Sequence, residues 1–117
     1  MTGRNQQFGR WGEGLAAEWY RDHGFEVTAQ NWATSEGELD IVAIDRNASL
    51  VVFCEVKARS SDQFGTGAEA VTKTKQRQVR KIALLWLREH GAQFEEIRFD
   101  VASVNGAGEV DLIEGCF

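Results

Sequence analysis

Apolar residues at helical spacing predict two helices. In the first, over about residues 5–23, one side carries Phe8, Trp11, Leu15 and Trp19. Its other side combines Glu13 with small residues, which would let the helix backbone approach a neighbouring element closely. The second helix is predicted over about residues 73–90, where the apolar stripe is Val79, Ile82, Ala83, Trp86 and Leu87.

Alternating or continuous apolar residues predict five strands. They are FEVTAQ at 25–30, ELDIVAID at 38–45, SLVVFCEVKA at 49–58, IRFDVASV at 97–104 and EVDLIEG at 109–115. We expect loops at NWATSEG, residues 31–37, and at residues 60–67, and a short turn at residues 46–49. The order α-β-β-β-α-β-β indicates an α/β or α+β protein in which helices pack on a sheet.

Length and composition are those of one compact domain spanning residues 1–117. Hydrophobic residues make up 43% and charged residues 26% of the chain, a balance that excludes an intrinsically disordered protein. No apolar run is long enough for a membrane span, and the N-terminal MTGRNQQFGR has no hydrophobic secretory core. We therefore expect a cytoplasmic protein without membrane association. Cys54 and Cys116 form no CxxC or zinc-site spacing.

Charge is distributed unevenly along the chain. The net charge is −5, but between Lys57 and Arg88 eight basic residues outnumber two acidic ones, so that segment carries +6 and the remainder −11. A local basic surface on an acidic protein can still bind phosphates, because attraction depends on the field at the site. The alternative is a solvated helix surface without a ligand. The predicted nucleic-acid contacts on the second helix are Lys73, Lys75, Arg77, Arg80 and Lys81.

The hairpin of the second and third strands brings acidic residues together. If residues 46–49 form the turn, antiparallel pairing that begins with Asp45 and Leu50 places Asp40 opposite Glu55. Opposed side chains have Cβ atoms about 5 Å apart, so this like-charge pair is unfavourable unless something positive lies between the carboxylates. Carboxylate oxygens are hard ligands, which predicts Mg²⁺ or Mn²⁺. The same side of the sheet is expected to carry Glu38, Val42, Ile44, Val51, Phe53 and Lys57.

Lys57 is a candidate catalytic residue because it lies two positions beyond Glu55, on the same side of the strand. There it could orient or help deprotonate an attacking water, or stabilise negative charge on a phosphate. Hydrolysis of a phosphodiester needs a polarising cation, an activated water and a compensating positive group. The alternative is an ion pair at a strand end, with Glu38 or Glu55 as the partner.

These residues resemble a known nuclease signature. GELD, an apolar strand and E-V-K look like the PD-(D/E)xK motif, although Leu39 stands where that motif has proline. The wider pattern, GRWGEGLAAEWYRDHGFEV, LVVFCEVKAR and FGTGAEAVTKTKQRQV, is similar to the YraN-like family of small bacterial proteins. Those proteins are predicted endonucleases related to archaeal Holliday-junction resolvases, and the resemblance covers roughly residues 8–104. It implies a restriction-endonuclease-like fold, a mixed central β-sheet flanked by helices with an acidic site at one edge.

The resemblance also implies roles for individual residues. Asp40 and Glu55 would be metal ligands, with the Val56 carbonyl as a third and Glu13 completing the shell. Lys57 would be the catalytic lysine, and Glu38 would support Lys57 from outside the metal shell. Gln76 matches the K-Q of the family's second helix, where it would contact the site or a phosphate. An exposed helical glutamine is an equally good interpretation of Gln76.

The predicted site and the family resemblance are consistent with two functions. The first is a magnesium-dependent (or manganese-dependent) endonuclease acting on DNA, with branched or damaged DNA as a candidate substrate. The second is a nuclease fold that no longer cuts and serves as a binding module for nucleic acid or protein. Related nucleases often act as dimers, so a homodimer is also considered, with Trp11, Trp19 or Trp32 at its interface. The alternative for those tryptophans is an ordinary place in the core.

Overall fold

A computed structural model describes residues 2–60, 71–91 and 93–117 of the chain. The predicted order α-β-β-β-α-β-β is confirmed. Most of the loop predicted at residues 60–67 lies outside the described residues. The elements are α1 (Thr2–Asp22), β1 (Glu26–Thr34), β2 (Gly37–Asp45), β3 (Leu50–Ala58), α2 (Lys73–Glu89), β4 (Glu96–Val104) and β5 (Val110–Ile113).

The five strands form one mixed sheet in the order β1-β2-β3-β4-β5. All neighbours are antiparallel except β3 and β4, which are parallel and are connected through the segment that contains α2. This mixed α/β architecture is compatible with the predicted restriction-endonuclease-like fold. The predicted hairpin register is also confirmed, since Asp45 pairs with Leu50. The Asp45 carboxylate stabilises the turn by accepting hydrogen bonds from the backbone N–H groups of Asn47 and Ala48.

β1 is longer than the sequence pattern indicated. The prediction of a loop over residues 31–37 is wrong for residues 31–34, which continue the strand. They do so because residues 32–34 pair with residues 37–39 of β2. The Thr34 hydroxyl closes the resulting hairpin by donating to the Gly37 carbonyl at 2.9 Å and accepting from the Glu36 N–H at 3.0 Å.

The two helices cover opposite faces of the sheet, so the central strands are buried on both sides. On the α1 side, Ala16, Ala17 and Tyr20 pack against alternate strand residues, namely Ile41, Ala43, Val52, Cys54 and Ala102. On the α2 side, Val79, Ile82, Ala83 and Trp86 pack against the intervening set, namely Val42, Ile44, Val51 and Phe53. The apolar part of the hairpin therefore faces α2.

α1 rests on the sheet through its small residues, as predicted. A Cβ atom at Gly12 would lie only 2.8 Å from the Cβ of Ala58, so the helix can approach the end of β3 only with glycine at this position. Ala16 and Ala17 continue the contact and are fully buried, whereas Trp11 on another side of the helix is 41% exposed. This close approach brings Glu13, the next residue along the helix, to the end of β2 and β3.

Thr72 is the N-cap residue of α2. The Thr72 hydroxyl accepts a hydrogen bond from the Lys75 N–H at 3.1 Å.

Neither α1 nor α2, the two helices of the described ranges, is long and apolar enough to cross a membrane.

Candidate metal centre

Asp40 lies where β2 and β3 stop pairing. The last pair of the β2–β3 ladder is Ile41 with Cys54. At the next residue, the Asp40 side chain replaces the backbone as hydrogen-bond acceptor, and its Oδ2 accepts from the Val56 N–H at 2.8 Å. The carboxylate, which belongs to a residue only 9% exposed, is thereby fixed between the ends of the two strands.

The alternation of side chains along β2 is interrupted at this point. Leu39 packs on the α2 side together with Val42, three residues away, whereas Ile41 packs on the α1 side. The prediction that these side chains share one side of the sheet is therefore confirmed for the apolar residues of the hairpin and wrong for Glu38. Glu38 lies next to Glu13 of α1 instead, and no hydrogen bond or ion pair joins it to Lys57 within the described ranges.

Glu13, Glu38 and Asp40 form a cluster of carboxylates. Each offers an oxygen, and these three oxygens lie within 4.8 Å of one another. Oε1 of Glu13 is buried and has no hydrogen-bond partner among the residues that the structure describes. Three hard oxygen donors, one of them buried without a partner, fit the requirements of Mg²⁺ or Mn²⁺.

Electrostatics make the charged form of Glu13 unfavourable without a cation. Burial is the main cause that raises the pKa of Glu13, and the neighbouring Asp40 carboxylate raises it further. The Asn31 side-chain amide, a polar contact of Glu13, acts in the opposite direction. A cleft of about 250 Å³ adjoins these groups and is lined by Gly9, Arg10, Glu13, Asn31 and Glu38.

Glu55 approaches Asp40 as the fourth carboxylate. Its side chain is only 7% exposed, and its Oε2 lies 3.7 Å from Nζ of Lys75. Burial and the adjacent Asp40 carboxyl nevertheless raise the pKa of Glu55 to about 9, because they outweigh the attraction of Lys75 and Lys57. Asp40 is thus the shared member of the site, in contact with Glu55 and with the Glu13–Glu38 pair.

Lys57 is half-buried near the end of β3. In the parallel register it lies beside Ser103 of β4. The Ser103 Oγ is buried and finds no hydrogen-bond partner in the described part of the chain. Lys57 forms no ion pair within the described ranges, and its positive charge favours the ionised form of Glu55.

Two of the predicted nucleic-acid contacts, Lys75 and Lys81, are engaged within the protein. Lys75 is directed inward and pairs with Glu55. Lys81 pairs with Glu36 in the β1–β2 turn at 3.1 Å. Lys75 therefore belongs to the candidate centre more than to the outer surface of α2.

The other four predicted contacts, Lys73, Gln76, Arg77 and Arg80, form no ion pair within the described ranges. Lys73 and Arg77 are exposed. The Arg80 guanidinium lies 5.8 Å from the ring centre of Phe99 and 5.7 Å from that of Phe117. The Gln76 side-chain amide donates to the Val71 carbonyl at 3.1 Å, so it is engaged near the start of the helix.

Sequence reasoning missed Asn31 and the inward direction of Lys75. Helical spacing could have indicated the latter, since Lys75 lies four residues before the buried Val79. Asn31 had no such signal, because its segment was predicted to be a loop. Its position depends on pairing between β1 and β2.

Comparison with known proteins places the chain among relatives of similar length. The model of a family described as "Uncharacterised protein family UPF0102" matches residues 12–104. A UPF0102 protein of Nocardia farcinica is 50% identical over 103 residues, covering 88% of this chain and 80% of the relative. One from Mycolicibacterium gilvum is 46% identical over 111 residues, covering 92% and 90%. One from Desulfosudis oleivorans is 36% identical over 118 residues, covering 100% and 94%. None of these names states an activity.

Proposed function

This chain belongs to the UPF0102 (YraN) family, and we propose that it is a divalent-metal-dependent endonuclease that hydrolyses phosphodiester bonds in DNA. One observation carries the proposal. Asp40, a buried carboxylate, is surrounded by three further carboxylates, and Lys75 lies within 3.7 Å of one of them. Carboxyl groups gathered around a buried carboxylate repel one another when ionised, and such a group is typical of a functional site, although Glu38 itself is exposed.

The proposed ligands of Mg²⁺ or Mn²⁺ are carboxylate oxygens of Asp40, Glu13, Glu38 and Glu55, with the Val56 carbonyl as a further candidate. Asp40 is held for this role by the Val56 N–H, which orients its carboxylate. A bound divalent cation would supply Lewis-acid polarisation of the phosphodiester and would relieve the repulsion among the carboxylates.

The lysines of the site supply positive charge from the protein itself. Lys57 would orient the attacking water or stabilise the charge that develops on the phosphate oxygens. Lys75 would favour the ionised form of Glu55 once a cation is bound, since its ammonium group lies 3.7 Å from the Glu55 carboxylate. In the reaction, the water oxygen forms a bond to phosphorus while a bond from phosphorus to a sugar oxygen breaks. The water releases a proton and the departing sugar oxygen acquires one.

The exposed side of α2 is the proposed contact for the DNA backbone. Lys73 and Arg77 are exposed there, and α2 also carries Lys75 into the candidate centre. Arg80, Lys81 and Gln76 extend this surface, although each already has an intramolecular partner. Contacts of this kind are with phosphates, so binding would depend strongly on salt and little on base sequence. Branched or damaged DNA remains a candidate substrate.

One observation favours the alternative, a binding module that does not cut. Leu84 and Ile97 are 53% and 46% exposed, and they line an apolar cleft of about 300 Å³ together with Leu87 and Phe99. Exposed apolar surface of this kind is typical of protein-binding sites, including contacts within a homodimer. This alternative predicts partner binding without metal-dependent cleavage.

The decisive experiment measures cleavage of linear and branched DNA with Mg²⁺, with Mn²⁺ and with EDTA. We expect cleavage only with a divalent cation and a loss of roughly a hundredfold or more in Lys57→Ala, the range typical of removing a charge-stabilising group. Arg46→Ala, which removes an exposed basic residue of the β2–β3 turn at the other end of the hairpin, is the matched control and should retain most of the rate. Equal cleavage by wild type and Lys57→Ala, or cleavage in EDTA, would contradict the proposal.

A further inference from the structure

Asn31 has an unusual backbone conformation for a residue within a strand. Its φ is 52°, in the left-handed region, although it lies inside β1. Among the described non-glycine residues only Ser49 shares a positive φ, and Ser49 belongs to the β2–β3 turn, where such values are common. Side chains disfavour this region, although asparagine tolerates it better than most. A strained residue inside a regular strand calls for a reason outside that strand.

The position of Asn31 connects it to the candidate centre. The β1–β2 ladder pairs Gln30 with Ile41 and Trp32 with Leu39, so Asn31 is the residue opposite Asp40. Asn31 and Asp40 form no pair of their own in that ladder. Because the β2–β3 ladder also ends next to Asp40, strand pairing is interrupted on both sides of this carboxylate.

The Asn31 side chain reaches the same group of carboxylates. It lines the polar cleft together with Glu13 and Glu38. Its amide is a polar contact of Glu13, its neighbour in the lining of that cleft. A neutral donor suits this place, because it stabilises a metal ligand without adding a further charge to the cluster.

We propose that Asn31 is a positioning residue of the metal centre: its left-handed backbone opens the sheet at Asp40, and its amide orients Glu13 for cation binding. The inference rests on the proposed function, since it requires that Glu13 and Asp40 bind a metal. Asn31 itself acts through Glu13 and is not a catalytic residue.

Asn31→Gly separates the two roles of this residue. Glycine adopts a positive φ without strain, so the backbone path is kept while the amide is lost. We expect the metal-free variant to unfold at the wild-type temperature or above it. We also expect its Mn²⁺ affinity, measured by calorimetric titration, to fall about tenfold or more, as is usual when a group that orients a metal ligand is removed. Ser49→Gly, the same change at the other positive-φ position, should leave Mn²⁺ affinity unchanged.

The titration distinguishes failure of this inference from failure of the proposed function. Wild-type affinity in Asn31→Gly, beside Mn²⁺ binding that depends on Asp40 in the wild type, would overturn the role of Asn31 alone. A large loss of thermal stability in Asn31→Gly in parallel with the loss of affinity would also overturn it, because the role would then be structural. Absence of Mn²⁺ binding by the wild type would overturn both proposals.

Discussion

Two buried carboxylates, Asp100 and Asp40, occupy contrasting environments in this protein. Asp100 is fully buried and accepts four hydrogen bonds. Tyr20 donates to it at 2.7 Å, Arg98 at 2.9 and 3.0 Å, and the Gly115 N–H at 2.9 Å. Among the described residues, Asp40 accepts a backbone hydrogen bond from the Val56 N–H, and the carboxyl groups of Glu13, Glu38 and Glu55 lie beside it.

The difference separates a charge that the fold compensates from the one that we propose to be functional. The Asp100 charge is compensated by a guanidinium that binds it through two hydrogen bonds, so it ties α1, β4 and the segment after β5 together. At Asp40 the neighbours are carboxyl groups instead, and the proximity of Asp40 adds to burial in raising the pKa of Glu13 and of Glu55. Burial alone therefore does not identify a site, whereas burial without compensation does.

Removing the Asp100 carboxylate, which accepts hydrogen bonds from Tyr20 and Arg98, should have the largest effect on stability. Asp100→Ala would leave the Arg98 guanidinium and the Tyr20 hydroxyl without their buried acceptor. We expect the free energy of unfolding to fall by about 3–5 kcal/mol, the range for removing one member of a buried ion pair. Urea denaturation measures this change. Asp111→Asn, at an exposed position of β5, should change it little, and a similar small change in Asp100→Ala would contradict this view of Asp100.

A divalent cation should stabilise the fold through the carboxylates around Asp40 and not through Asp100. At a free Mg²⁺ concentration about 100 times the dissociation constant, binding would raise the free energy of unfolding by about 2.7 kcal/mol. Urea denaturation with and without Mg²⁺ measures the gain. Asp40→Asn should abolish it, because the shared ligand is lost. An equal gain in that variant would show that Mg²⁺ binds elsewhere.

The pKa of Glu55 predicts how the metal-free stability depends on pH. Its ordinary value is 4.5 and its value in the fold is about 9, so between these limits the folded protein keeps a proton that the unfolded chain has released. Stability therefore falls as pH rises, by up to about 1.4 kcal/mol per pH unit for one proton. Urea denaturation in EDTA between pH 6 and 8 measures this slope.

Glu55→Gln tests whether that carboxyl causes the slope. The variant has no proton to release, so its stability should depend less on pH and should exceed that of the wild type at pH 8. Glu18→Gln is the control, since Glu18 is 62% exposed and pairs with Arg21 on the surface. An unchanged slope in Glu55→Gln would assign the pH dependence to another group.

The smallest effect is expected on the basic surface of α2, the helix that carries Lys75 to the Asp40 cluster. Arg77→Ala should weaken DNA binding and lower the slope of log K against log salt concentration by about 1. Fluorescence anisotropy at several salt concentrations measures this slope, with Mg²⁺ replaced by EDTA to prevent cleavage. Lys81→Ala should have less effect, because Lys81 already pairs with Glu36. The reverse order would place the DNA contact nearer the β1–β2 turn.

Sequence patterns were enough to predict the order of the elements, the turn at residues 46–49 and the register of the β2–β3 hairpin. These features follow from local periodicity, from turn residues and from strands apolar on both faces, which short stretches of chain encode. The approach of α1 was also predictable, because small residues mark the side of a helix that can lie close to a sheet.

The grouping of the acidic residues around Asp40 depends on tertiary contacts and could not be predicted from the sequence. Side chains of β2 stop alternating between the two faces of the sheet at Asp40, where the carboxylate accepts a hydrogen bond from the Val56 N–H. Val56 is sixteen residues away, so the periodicity of β2 alone cannot predict this hydrogen bond. The same holds for Glu38 beside Glu13 and for the left-handed Asn31 opposite Asp40. Each depends on contacts between separate elements, where side-chain chemistry overrides the regular geometry that a strand would otherwise follow.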